Sequence, residues 1–357
     1  MPVAQPASPL VAAFDIFING SPLSVEQESH VVDVQVELDG AIPSMFSLTL
    51  SGSASRADDL SWLDDTQLFA LGNEVDIRLG YADDLGSVMV GELTGLEPEF
   101  SCDRPPSLTL RGYDRRHRLQ RGHHTRTFTQ LKDSDIASQM AAEAGLTAQV
   151  QDSRVTHGYL LQSNQTNLAF LQERARLIQY ELMVDNKTLR FRPVGNADGA
   201  ALTLTLEADL LSFSPRLSAM QQVNRVVVQG WNVQDKAPFT GQATTGDESS
   251  TMGGQTSGGS LANRAFGTAV AQVVNLPVST QAEVDQLAKA RLNRTGLHLI
   301  DGEGSCWGRT DLKPGQVITL EGLGQRFSGQ YYVTAVSHRY RPDRGYVTGF
   351  RVRRNAV

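Results

Sequence analysis

A short pattern that occurs twice constrains this chain more than any other feature. Near the front, Gly72-Asn-Glu-Val75-Asp-Ile77 leads to Leu93-Thr94-Gly-Leu96, then Phe100, then the alternating Leu108 and Leu110. Near the end, Gly315-Gln-Val-Ile318-Thr-Leu320 leads to Val333-Thr334-Ala-Val336, then Tyr340, then Phe350 and Val352. A turn glycine, a strand with every second residue apolar, a second strand carrying Leu/Val-Thr-x-Leu/Val and a closing strand describe a β-meander that can curl into a small barrel. Two copies predict a duplicated β domain. Any two antiparallel sheets share such alternation, so the pattern alone leaves chance recurrence open.

At 357 residues the chain has room for two or three domains and a sizeable core. No window approaches the roughly 20 uninterrupted apolar residues of a membrane helix. The start, Met1-Pro-Val-Ala-Gln-Pro-Ala-Ser-Pro, lacks the basic and apolar segments of a signal peptide, so synthesis in the cytoplasm is expected. Residues 1 to about 9 read as disordered. Cys102 and Cys306 each sit beside a strand of a different repeat. Both read as small semi-buried residues rather than a disulfide pair. A net charge of -7 argues against phosphate gripping as the main task. The exception is a basic stretch, Arg111, Arg115, Arg116, His117, Arg118, Arg121 and Arg126 with His123 and His124. It lacks an aromatic stacking platform, which favours a solvated or interface-pairing segment over nucleic acid.

From Phe14 to Tyr113 the text is almost wholly β, with Phe14, Ile16 and Ile18 alternating before the Asn19-Gly20 turn signal and Phe46, Leu48 and Leu50 alternating later. The pairs Asp58-Asp59, Asp64-Asp65 and Asp83-Asp84 fall between such runs and read as solubilising loops, since no spacing matches a calcium loop. Between about 125 and 195 the periodicity turns helical. Asp133 or Ser134 can cap a helix with Ile136, Met140 and Ala144 on one face and Gly145 at its end. Thr166 or Asn167 opens a second helix with Leu168, Leu171, Ala175 and Ile178. A hairpin through Asn186-Lys187 follows. Strands resume at 202–206 and 224–231. The Gly/Ser/Thr-rich stretch from about Thr240 to Ser260 cannot bury enough apolar surface to order itself alone and is expected to be mobile. Thr280-Gln-Ala-Glu283 then reads as a capping box for a helix with Val284, Leu287, Ala288 and Leu292 on one stripe.

Signatures of chemistry are missing. There is no phosphate loop, and Gly322-Leu-Gly324 reads as a turn. There is no Gly-x-Ser-x-Gly elbow, no His-Glu-x-x-His helix and no Cys-x-x-Cys pair. His123 and His124 are adjacent, so on a strand they diverge and share no metal. No carboxylate pair stands out as a glycosidase site. The expectation is therefore no catalytic, cofactor-binding or metal residues, and a protein that works by shape and assembly.

The segments "PSLTLRGYDRRHRLQRG", "TFTQLKDSDIASQMAAEAGL", "LLQSNQTNLAFLQERARLIQYEL" and "LRFRP" resemble hub proteins of contractile tails. The family is that of phage late control gene D proteins, whose fold is shared by the front part of the type VI secretion VgrG spike. The likeness is carried by Tyr113-Asp114, Ser134-Asp135-Ile136, Ala141 to Leu146, Gln162, Asn164, Phe170-Leu171, Arg174-Ala175 and Tyr180. The ending adds Pro314-Gly315, Gly329, Tyr332-Val333-Thr334, His338 and Thr348. The ordered succession covers nearly the whole chain apart from about 240–260. It implies a mainly β chain with an α/β insertion and two tube-like β-barrel domains related by internal duplication. On that reading residues 10–120 form the first barrel, 121–198 the insertion, and 199–355 the second barrel, with a flexible insertion at about 235–265 and a helix at about 280–295.

The same resemblance implies a homotrimeric baseplate hub that adapts a sixfold tail tube to a threefold spike. Its expected partners are a separate spike protein, a tail tube or tube-initiator protein and baseplate wedge components, with no membrane insertion and no sequence-specific nucleic acid. VgrG proteins continue into an oligosaccharide-binding-fold domain and a β-helix needle, whereas this sequence stops at Val357, so the piercing tip is expected to be another polypeptide. The host machine is expected to be a phage tail, a phage-tail-like bacteriocin or an extracellular contractile injection system. The alternative is a tail-associated cell-envelope hydrolase or carbohydrate-binding protein with its site in the insertion.

Overall fold

The computed structural model describes residues 11–52, 65–82, 84–232, 236–274, 276, 278 and 280–357. The Pro/Ala-rich start, the pair Asp58-Asp59, Asp64 and Asp83 lie outside the described residues. Alternating apolar residues place one face of each strand in a core, and two such cores result. In the first copy the strands lie in the spatial order Val31–Asp39, Met45–Ser51, Ser107–Tyr113, Asp84–Glu99, Glu74–Tyr81, Ala12–Ile18, all neighbours antiparallel. Val34, Phe46, Leu48, Ile77 and Leu110 fill its interior. In the second copy the order is Leu210–Leu217, Ile300–Trp307, Gly345–Arg354, Gly329–Arg341, Val317–Glu321, Ala200–Thr205. Only its last pair, Ala200–Thr205 with Val317–Glu321, is parallel. Ile318, Leu320, Tyr331, Val333 and Phe350 fill that interior.

The duplication reaches the level of single hydrogen bonds. Each long central strand carries a bulge at its threonine. Leu93 faces Gly112 and Gly95 faces Arg111, while Val333 faces Val352 and Ala335 faces Arg351. Thr94 Oγ1 donates to the Arg111 carbonyl at 3.3 Å and Thr334 Oγ1 to the Arg351 carbonyl at 3.1 Å. The turn glycines match too: Gly72 N–H donates to Leu93 O at 2.7 Å and Gly315 N–H to Val333 O at 2.9 Å, with φ of 94° and 84°. Only glycine takes such a φ without strain. Val75 therefore corresponds to Ile318, Thr94 to Thr334 and Phe100 to Tyr340.

The two copies join edge to edge. The second half of the Thr334 strand pairs with Val31–Asp39, setting Val336 opposite Leu38, His338 opposite Val36 and Tyr340 opposite Val34. Between the copies sits the α/β insertion. Helices Asp133–Glu143 and Asn167–Ile178 pack with the hairpin Tyr180–Asp185/Thr188–Pro193 around Ile136, Met140, Leu171 and Phe191. Thr166 Oγ1 caps the second helix by accepting from Ala169 N–H at 3.1 Å. The first helix is capped from Lys132 instead of Asp133 or Ser134, whose side chains turn inward, and the Asp135 carboxylate accepts the Lys132 N–H at 3.0 Å.

The expected flexible insertion over 235–265 is corrected by the structure. Ala237–Thr244 is a strand beside Arg225–Asn232, and Gly258–Phe266 is a helix. Met252 is buried, and the stretch hydrogen-bonds the chain end through Gln255 and Thr256 N–H to Val357 O at 2.9 and 3.0 Å. Composition misled because Gly241, Gly254, Gly258 and Gly259 are close-approach sites. A Cβ on Gly241 would lie 2.4 Å from the Val284 backbone of helix Gln281–Gly296. Gly241→Ala is expected to lower stability by about 1–3 kcal/mol, measured as a lower urea midpoint. In that helix Thr280 Oγ1 accepts from Glu283 N–H at 3.2 Å, while the Glu283 carboxylate reaches His157. Cys306 is buried, and Cys102 is exposed where partial burial was expected; both are free thiols. Among the described residues no helix is long and apolar enough to cross a membrane.

Candidate functional site

The basic stretch folds inward. Asp114 caps the short helix Arg115–Gln120, accepting Arg116 N–H at 2.9 Å, and this aims successive cations at the first barrel. Arg115, His117 and Arg118 all donate to the buried Glu92 carboxylate, at 3.1, 2.8 and 2.9 Å. Burial alone would raise the Glu92 carboxyl, but the Arg118 and His117 donors hold it below its ordinary value. Arg116 is fully buried, donating to Asp114, Ser44 Oγ and the Asp39 and Leu182 carbonyls. Arg111 pairs with Glu97 and Arg126 with Glu143, each at 2.7 Å. Arg115, Arg116 and Arg118 also reach Asn186, the Leu182 carbonyl and the Ala144 carbonyl and are thus joints between barrel and insertion, whereas the Arg111 pair stays within the barrel and the Arg126 pair within the insertion. His123 immediately precedes the strand His124–Phe128, and His124 opens that strand. Asp65 turns back to accept Leu68 N–H at 2.8 Å. Gly324 opens the short helix Gly324–Phe327 after the Gly322 turn.

A second joint sits at the equivalent place in the other barrel. Tyr332 precedes the Thr334 bulge as Glu92 precedes Thr94, and its hydroxyl donates to the buried Glu181 of the insertion, which also accepts from Arg192 Nε at 2.7 Å. Burial raises both the Glu181 carboxyl and the Tyr332 phenol. A third joint, missed in the sequence because its members are far apart there, gathers His157, Asp133, Arg174 and Glu283. It ties the insertion to helix Gln281–Gly296.

Two histidines, His157 in the third joint and His338 inside the second barrel, give the fold a pH signature. Burial would lower His157, but hydrogen bonds to Asp133 and Glu283 raise it from 6.5 to about 9. Its contribution is therefore full below about pH 6.5 and lost as pH rises through 9. His338 is fully buried, its Nδ1 2.8 Å from the Tyr346 hydroxyl, and desolvation lowers it to about 3. The folded protein keeps His338 neutral where the unfolded chain takes up a proton, so stability falls as pH drops from 6.5 toward 3. Its contribution to the slope grows from about half of 1.4 kcal/mol per pH unit at pH 6.5 to nearly the full ~1.4 at pH 4.5. Urea unfolding at pH 4.5, 5.5 and 6.5 measures it, and His338→Gln should flatten the slope.

The edges of the joined sheet are the remaining feature. The seam within the chain buries Val336 (1 % exposed) and Val34 (0 %). Among the described residues the corresponding segment of the first copy, Gly95–Glu99, pairs only with Ser107–Tyr113 and has no neighbour on its other side, with Leu96 (42 %) and, beyond it, Phe100 (63 %) exposed. The counterpart of Val31–Asp39 in the second copy is Leu210–Leu217. It ends the sheet and exposes Leu217 (39 %), at the position of Leu38. Among the described residues each half of the seam thus recurs once, unpaired, on the other copy.

A family model described as the Alg8 N-terminal domain matches residues 8–341. The chain belongs to the Alg8 N-terminal domain family. This Alg8 N-terminal domain protein has no match among curated protein sequences. Its fold is shared with solved tail proteins. The 43 kDa tail protein of prophage MuSo2 from Shewanella oneidensis is similar at a TM-score of 0.68 and 12% identity, over 96% of this chain and 98% of that one. A tail protein from Neisseria meningitidis MC58 gives 0.68 and 13%, over 96% of both chains. An E. coli protein, described as a type VI secretion component structurally similar to the bacteriophage T4 tail proteins gp27 and gp5, gives 0.61 and 12%, over 96% of this chain and 77% of that one.

Proposed function

We propose that this Alg8 N-terminal domain protein is a non-enzymatic hub of a contractile injection machine: a phage tail, a phage-tail-like bacteriocin or an extracellular injection system. Three copies form a ring that adapts a sixfold tail tube to a threefold spike. The observation that carries the reading is the pair of open half-seams. Joining the Leu210–Leu217 edge of one chain to the Gly95–Glu99 edge of the next, in the register of the internal seam, sets Leu217 opposite Leu96 and Arg216 opposite Glu97. Apolar then meets apolar and cation meets anion. Three internal and three intermolecular seams alternate around such a ring, giving six similar units from three chains. Pro98 and Pro215 on the open edges remove N–H donors, which discourages indiscriminate strand addition. The likeness to tail proteins supports the same role, with tube, spike and wedge proteins as neighbours in the particle.

Light scattering coupled to size exclusion tests the ring. The chain is 38.8 kDa, and a trimer has three times that mass. A monomer at micromolar concentration, or a particle map lacking pseudo-sixfold symmetry at this layer, overturns the proposal. Clearing of a peptidoglycan zymogram would instead favour a hydrolase.

A further inference from the structure

A groove runs between the insertion, helix Gln281–Gly296 and the outer face of the second barrel. One cleft of about 570 Å³ adjoins another of about 400 Å³, and the two share Gln179, Tyr180 and Val194. The first is rich in arginine, with Arg176, Arg294, Arg351 and Arg353 on its walls. Its carboxylates are already engaged: Asp39 by Arg351 at 3.0 Å, and Glu181 by Arg192 and Tyr332. Arg353 is held by Asp301 at 3.0 Å. Arg294 Nη1 instead donates to the Arg176 carbonyl at 2.8 Å, and among the described residues neither Arg176 nor Arg294 has a carboxylate partner. Burial, with Arg291 and Arg176 nearby, lowers Arg294 to about 10. A positively charged site with unspent hydrogen-bond donors thus persists in a chain of net charge -7.

We propose that this groove binds an extended acidic segment of a partner protein, with carboxylates on Arg176 and Arg294 and intervening apolar side chains against Val194 and Leu297. Guanidinium forks match carboxylates in geometry and charge. An extended peptide alternates its side chains, so acidic residues can meet the arginines while their neighbours meet the apolar wall. A nucleic acid fits less well, because Arg351 and Arg353 are already paired with Asp39 and Asp301, which leaves the first cleft spaced rather than continuous positive charge for a phosphate backbone. The inference stands on the groove and does not depend on the ring.

The test is fluorescence anisotropy with a labelled eight-residue peptide of alternating leucine and aspartate, on the full chain at low salt. Saturable binding is expected, and Arg176→Gln/Arg294→Gln should weaken it about tenfold or more. Arg176→Lys/Arg294→Lys should retain most of it, and a leucine–asparagine peptide should not bind. Thermal melts of both variants confirm folding. No saturation by about 1 mM, equal binding by the glutamine variant, or tighter binding of a single-stranded oligonucleotide would overturn the assignment.

Discussion

Leu217→Asp should convert the ring into monomers. Leu217 is exposed in the single chain, so the substitution leaves both barrel cores untouched and the thermal midpoint nearly unchanged. In the proposed ring it meets Leu96 of the next chain, and a carboxylate buried against leucine costs several kcal/mol unless it is paired. All three intermolecular seams carry the change, so the mass by light scattering should fall from three times 38.8 kDa to one. Leu96→Lys should act alike. The combined variant sets lysine opposite aspartate and should recover part of the trimer. If Leu217→Asp remains trimeric, the seam is elsewhere, even if the ring survives.

Arg116→Ala should be the most damaging single change within the chain. Arg116 and Asp114 are both buried and 2.7 Å apart, and the guanidinium also holds Ser44 Oγ, the Asp39 carbonyl next to the internal seam and the Leu182 carbonyl of the insertion. Removing it strands the Asp114 carboxylate in a low-dielectric site and unties the first barrel from the insertion. Breaking one side of a buried pair typically costs about 3–5 kcal/mol. Chemical denaturation should show a correspondingly lower midpoint. Arg116→Ala/Asp114→Asn removes the stranded charge and should recover part of that loss. A loss below about 1 kcal/mol for the single change would show that water reaches the site and solvates Asp114.

Both barrels were legible in the sequence because period-two alternation and turn glycines are local consequences of strand geometry. Gly72 and Gly315 marked the same turn, and Thr94 and Thr334 marked the same position, although a bulge at each threonine is seen only once the strands are paired. Helix Asn167–Ile178 and its Thr166 cap were equally local. The Thr240 to Ser260 stretch was misread because glycine's meaning depends on what lies opposite. Gly241 looks like linker until the backbone of Val284 is seen against it.

The joints were beyond the reach of sequence. Arg115, Arg116 and Arg118 read as a basic run, and only the fold brings Glu92 and Asp114 to them, while His157 finds Asp133 and Glu283 from distant parts of the chain. The repeated strand grammar, the lack of familiar catalytic motifs and the helical insertion can be read from residue order, since each depends on residue type at short spacing. Tertiary structure decided which copy's edge is paired and which is open, and which arginines are satisfied. Strand pairing and ion pairing depend on distance in space, and chain order does not set that distance.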